Sequence, residues 1–558
     1  LLQKLRESIP QVLAGSFSPA WWGWVLVGGL AMGLTPSPFD WWWLGWVALV
    51  PLWLAIRYES WLVEKNYRLG GWRFWLRCGW LGGIWGVGFY GIALFWITGV
   101  HPLTWMGVPF FPSLAIAIFC WVSITLWGTI LAVLWAGWLA VGESVLRRIL
   151  LRQKSTIAAT VWRVLLAVAL WVSLEHLWSQ SPLWWSSLGY SQSPHNLPIL
   201  HLGQISGPTM VTAAIATVNG LLAEGIWEFR WGIANVPPKQ RYILIVAPAI
   251  ALLGFHLLGW RLYVTPLVNT NGEAIQVGIV QGNIPNEIKL NSQGGRLALQ
   301  GYTNGYHRLV KQGVDAVLTP ETALPLIWTH SNRQNSSFQQ AVKAEKVVAW
   351  LGTFFPKPSG YSNSLLTLTG DGEIYSHYDK VNLVPLGEYI PLENWLGEFI
   401  SRLSPLEAKL KPGSPQQIFH TPFGKAIVGI CYDSAFSEHF RRQTANGGKF
   451  ILTASNDAHY APSMPAQHHG LDVMRAIESD RWMVRATNTG YSAFVDPHGR
   501  TLWISPLNQY AWHYDTIYTR QTQTWYVRWG NWLLPVWWLL LLGTTTYILS
   551  ESPRYFET

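Results

Sequence analysis

Eight long apolar runs punctuate this chain, at about 20–36, 41–56, 78–99, 110–142, 160–177, 206–226, 241–260 and 531–549. A helix needs about 18 such residues to cross a bilayer. The second run is short, so it tilts or merges with its neighbour, and the long fourth leaves room for a re-entrant piece. The count is therefore eight, give or take one. Composition agrees: half the residues are hydrophobic and only 12% are charged, against roughly 25% in soluble proteins. Many of the 38 tryptophans cluster at run ends, as in Trp21-Trp22-Gly23-Trp24, Trp41-Trp42-Trp43 and Trp537-Trp538, where indole rings rest at headgroup level. The expectation is a membrane protein. Ionisable residues are scarce within the runs, with Glu175, His176 and His256 near the ends of theirs. Ion pathways need charge at mid-depth, which counts against a transporter.

The formal charge is +9, but its cations lie mainly between runs and the long polar stretch is nearly balanced. Nucleic-acid binding is therefore not expected. The segments 57–77, 143–163 and 227–241 carry Lys and Arg, whereas 37–40, 100–109 and 178–205 carry none. By the positive-inside rule the basic segments face the cytoplasm, and residues 261–530 emerge on the opposite side. The division expected is membrane helices over 1–260, an extracytoplasmic catalytic domain over 261–530, and a last span with a short cytoplasmic tail over 531–558. Because the first run is followed directly by another, no cleavable signal is expected.

Within 261–530, strand-like runs at 275–280, 314–318, 347–353, 364–368, 425–430 and 450–453 alternate with helical patterns at 296–312 and 467–480. This interleaving indicates a layered α/β fold. Cys431 is the only cysteine of the stretch, ending the apolar run Val428-Gly429-Ile430. Cys78 and Cys120 sit in or beside apolar runs and read as small hydrophobes; no metal-ligand spacing is present. At Cys431 a nucleophile and a buried structural thiol are both open readings. Glu321 follows Ala316-Val317-Leu318-Thr319-Pro320; it reads either as a desolvated carboxylate with a raised pKa, fit to act as base, or as a surface helix cap. Lys380 closes Tyr378-Asp379-Lys380 and reads as a cation that favours a thiolate and an oxyanion, or as a solvated lysine.

The order Glu321, Lys380, Cys431, each after a strand, resembles the Glu–Lys–Cys triad of the nitrilase (carbon–nitrogen hydrolase) superfamily. A sharper resemblance covers nearly the whole chain. Its marks are several spans, Val280-Gln281-Gly282-Asn283-Ile284-Pro285, Pro320-Glu321-Thr322-Ala323, and Val384-Pro385-Leu386-Gly387-Glu388-Tyr389-Ile390-Pro391. Gly429-Ile430-Cys431-Tyr432, Asn456-Asp457-Ala458, Arg485-Ala486-Thr487-Asn488-Thr489-Gly490 and a final span complete it. In these features the chain resembles the apolipoprotein N-acyltransferase family. The resemblance implies a membrane helical bundle plus an α-β-β-α sandwich. It also implies Cys431 as nucleophile, Glu321 as general base, Lys380 as oxyanion-stabilising cation, and Glu388, Tyr432 and Asp433 as supporting residues. No metal and no cofactor are implied. His468, Arg475 and Glu478 fall in the matching helix and are expected to make structural hydrogen bonds.

Three departures from the family pattern stand out: Asp433 in place of Glu, His459-Tyr460 in place of Trp-Phe, and Leu290 where Trp is usual. The last two bear on the substrate path. The reaction implied moves the sn-1 acyl chain of a phospholipid through a cysteine thioester to the α-amine of a diacylglyceryl apolipoprotein. Both substrates are lipid-anchored, in the inner membrane of a bacterium, with the chemistry on the periplasmic side. The amphipathic stretch 395–403 reads as an interfacial gate for acyl chains or as an ordinary domain helix. Two rivals remain: a membrane-tethered amidase or nitrilase-type hydrolase using the same triad, and a non-enzymatic scaffold or channel.

Overall fold

The computed structural model describes residues 19–66, 72–150, 156–231, 238–267, 272–389 and 410–550. Each apolar run lies on a helix: α1 (Pro19–Gly33), α2 (Val50–Asn66), α3 (Trp72–Ala93), α4 (Phe110–Leu150), α5 (Thr156–Trp178), α6 (Pro208–Arg230) and α7 (Pro238–Tyr263), with Leu533–Ser550 as the eighth. The second run is divided. Its first part, Trp42–Trp46, is a single 3-10 turn, and the helix begins only at Val50. The fourth contains no re-entrant break, being one helix of 41 residues. Among the described residues, five helices are both long and apolar enough to cross a membrane: Phe110–Arg147, Ile157–Trp178, Pro208–Arg230, Lys239–Tyr263 and Leu533–Ser550.

The structure adds to one sequence reading of this region and corrects another. Trp24, Trp41 and Trp43 do face outward, but Trp53, Trp85, Trp135 and Trp171 are buried in the bundle centre. They pack ring against ring, with centroids 5.0–5.9 Å apart. Their indole N–H groups are satisfied by Glu224, Ala48 O, Ala167 O and Glu175, as an apolar surround requires. Several cations assigned to loops also lie on helices. Arg57 and Arg163 are buried and shared between Glu143 and Glu224, and Arg77 pairs with Glu59. Mutual pairing makes such burial tolerable. α3 and α4 approach closely because a Cβ at Gly82 would meet Ala132 O at 2.4 Å; small residues at helix contacts are how membrane helices pack.

From residue 272 the chain turns to strands. The first sheet comprises β1 (Ala274–Gln281), β2 (Ala316–Leu318), β3 (Leu324–Ile327), β4 (Val348–Lys357), β5 (Gly360–Leu368) and β6 (Ile374–Asp379). The second comprises β7 (Phe419–Thr421), β8 (Gly424–Ile430), β9 (Ile451–Ser455), β10 (Met483–Thr487), β11 (Ala493–Val495) and β12 (Thr501–Ile504). β13 (Ala511–Tyr518) returns to the first sheet, whose order is β13-β1-β2-β4-β5-β6, with β3 beside β4. The second runs β12-β11-β10-β9-β8-β7. β1–β2–β4 and β8–β9–β10 are the parallel cores of the two sheets. Alternate side chains of both meet face to face, as Val277, Ile279 and Leu318 against Val428, Ile430 and Leu452, the period-2 arrangement of packed sheets.

Helices Ser292–Val310 and Ser337–Glu345 cover the outer face of the first sheet through Tyr302, Tyr306, Leu309, Phe338 and Val342. Helix Ser463–Ser479 covers the second through Leu471, Met474 and Ile477. The result is an α-β-β-α sandwich. The core that Ser463–Ser479 joins runs on into the bundle without interruption. Gln467 donates to Ser37 O and Ala93 O and accepts from the Trp185 indole. Ser193 donates to Gly470 O. Arg475 bonds Tyr190 and Glu478, the structural role expected of that pair. The sandwich is thus seated on the bundle through this helix, and also through Tyr432, which donates to Trp184 O, and Ala461, whose N–H donates to Trp96 O.

Candidate active site

Glu321 lies just beyond β2, Lys380 directly follows β6, and Cys431 directly follows β8. The β2–β4 contact brings the first close: a Cβ at Gly352 on β4 would sit 1.8 Å from Pro320 O. Gly352→Ala is expected to displace the Pro320–Glu321 backbone and lower stability by roughly 1–3 kcal/mol, read as a fall in the thermal midpoint. The Lys380 ammonium lies 2.9 Å from Glu321 Oε1 and 2.8 Å from Glu388 Oε2. Asn363 Nδ2 donates to both carboxylates, at 2.7 and 3.3 Å, and Val384 N–H donates to Glu388 Oε2 at 2.8 Å. A second buried ammonium, Lys289, donates to the Glu321 carbonyl at 3.1 Å. Glu321 is buried, so it is not a surface cap, and Lys380 is not solvated.

The electrostatics reverse two expectations. Burial alone would raise Glu321, but Lys380, Lys289 and the Lys380 and Asn363 hydrogen bonds together hold it below the usual carboxylate range. Glu321 is therefore ionised at rest. Burial and the Glu321 charge push the Cys431 thiol well up, and the opposing pull of Lys380 and the Asn456 backbone N–H is too small to reverse that. The resting sulfur is a thiol, so it can act as a nucleophile only if a base takes its proton. Burial lowers Lys380, yet Glu321, Glu388 and Cys431 outweigh it and hold the ammonium well above its ordinary range; it is a fixed cation. Burial and the neighbouring Glu321 raise Glu388 against the pull of Lys380. Burial brings Lys289 down to about 8.

The Cys431 backbone is held in an unusual shape. Cys431 has φ of +51°, the left-handed region that costs a non-glycine residue about 1–3 kcal/mol and is frequent at functional sites. Asp433 braces this turn. Its Oδ2 accepts from Ile430 N–H at 3.0 Å, and its Oδ1 from Asn382 N–H and Nδ2 at 2.8 Å. Tyr432 donates to Trp184 O and Pro182 O at 2.7 and 3.0 Å, tying the turn to the loop after α5. Of the divergent positions, Leu290 is 46% exposed. His459 bonds Asn286 and lies near Trp105, and Tyr460 meets Trp96 edge-on at 5.0 Å. The stretch 395–403 lies outside the described residues.

Sequence reasoning missed Lys289, Asn363 and Asn382. Lys289 had a usable signal, a lysine four residues after Pro285 in the Gly282-Asn283-Ile284-Pro285 motif; Asn363 sits mid-strand and had none. Cys431, Asp457 and His468 place ligand-type atoms within 4.8 Å of one another. Both ring nitrogens of His468 are already bonded, to Asp457 and to Cys431 O, and Asp457 also bonds Arg485. The set reads as a hydrogen-bond network rather than a metal centre.

Comparison with known proteins gives a family profile for carbon-nitrogen hydrolases over residues 276–520. A second profile, for the apolipoprotein N-acyltransferase N-terminal domain, matches residues 28–221. The chain is 53% identical over 506 residues to an apolipoprotein N-acyltransferase of Nostoc sp., covering 90% of this chain and 95% of that one. It is 48% identical over 503 residues to one of Synechocystis sp., covering 90% and 96%. Among solved structures, an amidase from Nesterenkonia sp. aligns at 19% identity with a TM-score of 0.35, covering 49% of this chain and 99% of its own.

Proposed function

The chain belongs to the apolipoprotein N-acyltransferase family, and from that premise we propose how its residues carry out lipoprotein N-acylation. The observation that carries the reading is the buried, ion-paired set of Glu321, Lys380 and Glu388, of which Glu321 and Lys380 act electrostatically on the strained Cys431. Glu321 accepts the thiol proton as Cys431 Sγ attacks the sn-1 ester carbonyl of a phospholipid. The oxyanion forms beside Lys380, whose charge is fixed. The ester C–O bond then breaks, Glu321 returns the proton to the departing alkoxide, and a lysophospholipid leaves a thioester on Cys431. In the second step the α-amine of a diacylglyceryl-cysteine attacks the thioester, Glu321 takes the amine proton, and the thiol is regenerated. The ester supplies the driving energy.

We take residues 261–530 as the catalytic unit, with 1–260 and 531–558 as its anchor in a bacterial inner membrane and the catalytic face periplasmic. Two features support this. The cations near the bundle helix ends alternate with uncharged connections along the sequence, and both proposed substrates are membrane-bound, which suits a sandwich seated on helices. The test supplies a labelled phospholipid and a diacylglyceryl peptide to the full-length protein in lipid. N-acyl peptide with an equal amount of lysophospholipid is expected. Free fatty acid independent of the peptide would instead mark a hydrolase.

The charge arrangement also sets a pH dependence. Glu321 has a lowered pKa, so its base function is present at neutral pH and lost as pH falls through its folded value. Lys289 is one of the cations that lower it. In Lys289→Met the Glu321 value rises, so the acid limb of the acylation rate is expected at higher pH than in wild type. An unshifted limb would remove Lys289 from this account.

A further inference from the structure

Beside the Cys431 site lies a cavity of about 230 Å³ that the reaction above leaves unassigned. One ordered water needs roughly 10–15 Å³, so the space suits a piece of substrate. Inside it are the buried Asp457 and Thr489 and the half-buried Tyr460; at its rim are Asn283, Glu287 and Asn508. The inner end is close to the sulfur. An Asp457 carboxylate oxygen lies within 4.8 Å of Cys431 Sγ, and burial, then the nearby Cys431, push the Tyr460 phenol up. The bundle closes one side, where Ala461 N–H donates to Trp96 O and the Trp96 ring meets Tyr460. On the other side the exposed Glu287 and Asn508 carry the cavity out to solvent.

The lining discriminates between the two proposed substrates. No Lys or Arg lines the cavity among the described residues. Asp457 is already paired with Arg485, which leaves Glu287 to set the charge at the rim. A phosphate is held by Arg, Lys or free backbone N–H groups. Here it would meet a carboxylate, and Pro462 and Pro465, at the start of helix Ser463–Ser479, offer no N–H. A phospholipid headgroup is therefore a poor fit. A peptide fits well, because its backbone presents a donor and an acceptor at each residue. Asn283 and Asn508 offer both kinds of group. Their side chains, the Glu287 carboxylate and the Tyr460 hydroxyl form no hydrogen bond with other described residues.

We propose that this cavity seats the first residues of the acceptor polypeptide, those that follow its diacylglyceryl-cysteine. This rests on the reading of Cys431 as the carrier of the acyl group. The α-amine reaches the thioester at the Asp457 and Tyr460 end, and the rest of the peptide leaves between Glu287 and Asn508. The phospholipid uses none of these residues. Glu287 at the rim favours acceptors with a basic residue after the cysteine over those with an acidic one.

The test separates the two half-reactions in the full-length protein in lipid. Leu507 also lines the cavity, on a surface turn whose flanking carbonyls, Pro506 O and Gln509 O, accept from Gln281. Leu507→Trp narrows the space without touching the triad. Thioester formation from labelled phospholipid is expected at the wild-type rate, while kcat/KM for the diacylglyceryl peptide falls about tenfold. An unchanged kcat/KM for the peptide overturns the proposal. So does slower thioester formation, which would mean that the phospholipid occupies the cavity. Glu287 is exposed, so Glu287→Arg keeps the test open if Leu507→Trp fails to fold. Of two peptides that differ only in Lys or Asp after the cysteine, wild type should prefer Lys and Glu287→Arg should prefer Asp, each about threefold. A preference that the variant leaves unmoved overturns the proposal. Binding of a fluorescent diacylglyceryl peptide needs no acyl donor and should weaken in Leu507→Trp by the same factor. A wild-type protein that binds this peptide yet forms no thioester would defeat the proposed reaction while leaving the peptide site intact.

Discussion

Cys431→Ala is expected to abolish acyl transfer from phospholipid to a diacylglyceryl peptide, with residual rates at least about 10⁴-fold below wild type. The covalent route has no substitute nucleophile at that position. Cys78 is buried in the bundle and Cys120 is on α4. Cys431→Ser separates nucleophilicity from shape. Its hydroxyl suits the same backbone turn, but an alkoxide is far harder to generate than a thiolate, and Glu321, with its lowered pKa, is a weak base for that task. The serine protein should therefore match wild type in thermal midpoint and match Cys431→Ala in rate. Transfer in Cys431→Ser within tenfold of wild type would mean that the sulfur does not carry the acyl group.

Lys380→Met is expected to lose both activity and stability. Removing an oxyanion donor alone costs about 10²–10³ in rate. Here the same ammonium also neutralises Glu321 and Glu388 at 2.9 and 2.8 Å inside the protein, and deleting one partner of a buried ion pair costs about 3–5 kcal/mol. The two losses are separable. Adding Glu388→Gln to Lys380→Met removes one orphaned carboxylate and should recover part of the thermal midpoint without recovering thioester formation. Recovery of both would reduce Lys380 to a structural counter-ion.

The sequence carried the architecture wherever one signal dominated. Each apolar run falls on a helix among the described residues, though only five of those helices are long and apolar enough to cross a membrane, and the strand-like runs ending at Leu318, Leu368 and Ile430 match the ends of β2, β5 and β8. Short strands such as β3, β7 and β11, of three or four residues, were not legible, because such segments are too short to establish a period. The ion pairs inside the bundle were also hidden. Arg57 and Arg163 sit at run boundaries, where sequence reads a loop cation and only folding reveals Glu143 and Glu224 as partners. In the site, residue identity and order were legible but charge state was not. Whether Glu321 is raised or lowered depends first on how close Lys380 comes, then on Lys289 and Asn363, which reach it across 32 and 42 residues of sequence.

The most direct test is the intact mass of the wild-type protein after incubation with a phospholipid of one defined acyl chain, without acceptor. The expected result is a single added acyl group that maps to Cys431, resists Lys380→Met and Cys431→Ala by never forming there, and disappears when a diacylglyceryl peptide is supplied. Full transfer to the peptide in a protein whose Cys431 never carries an acyl group would contradict the covalent mechanism.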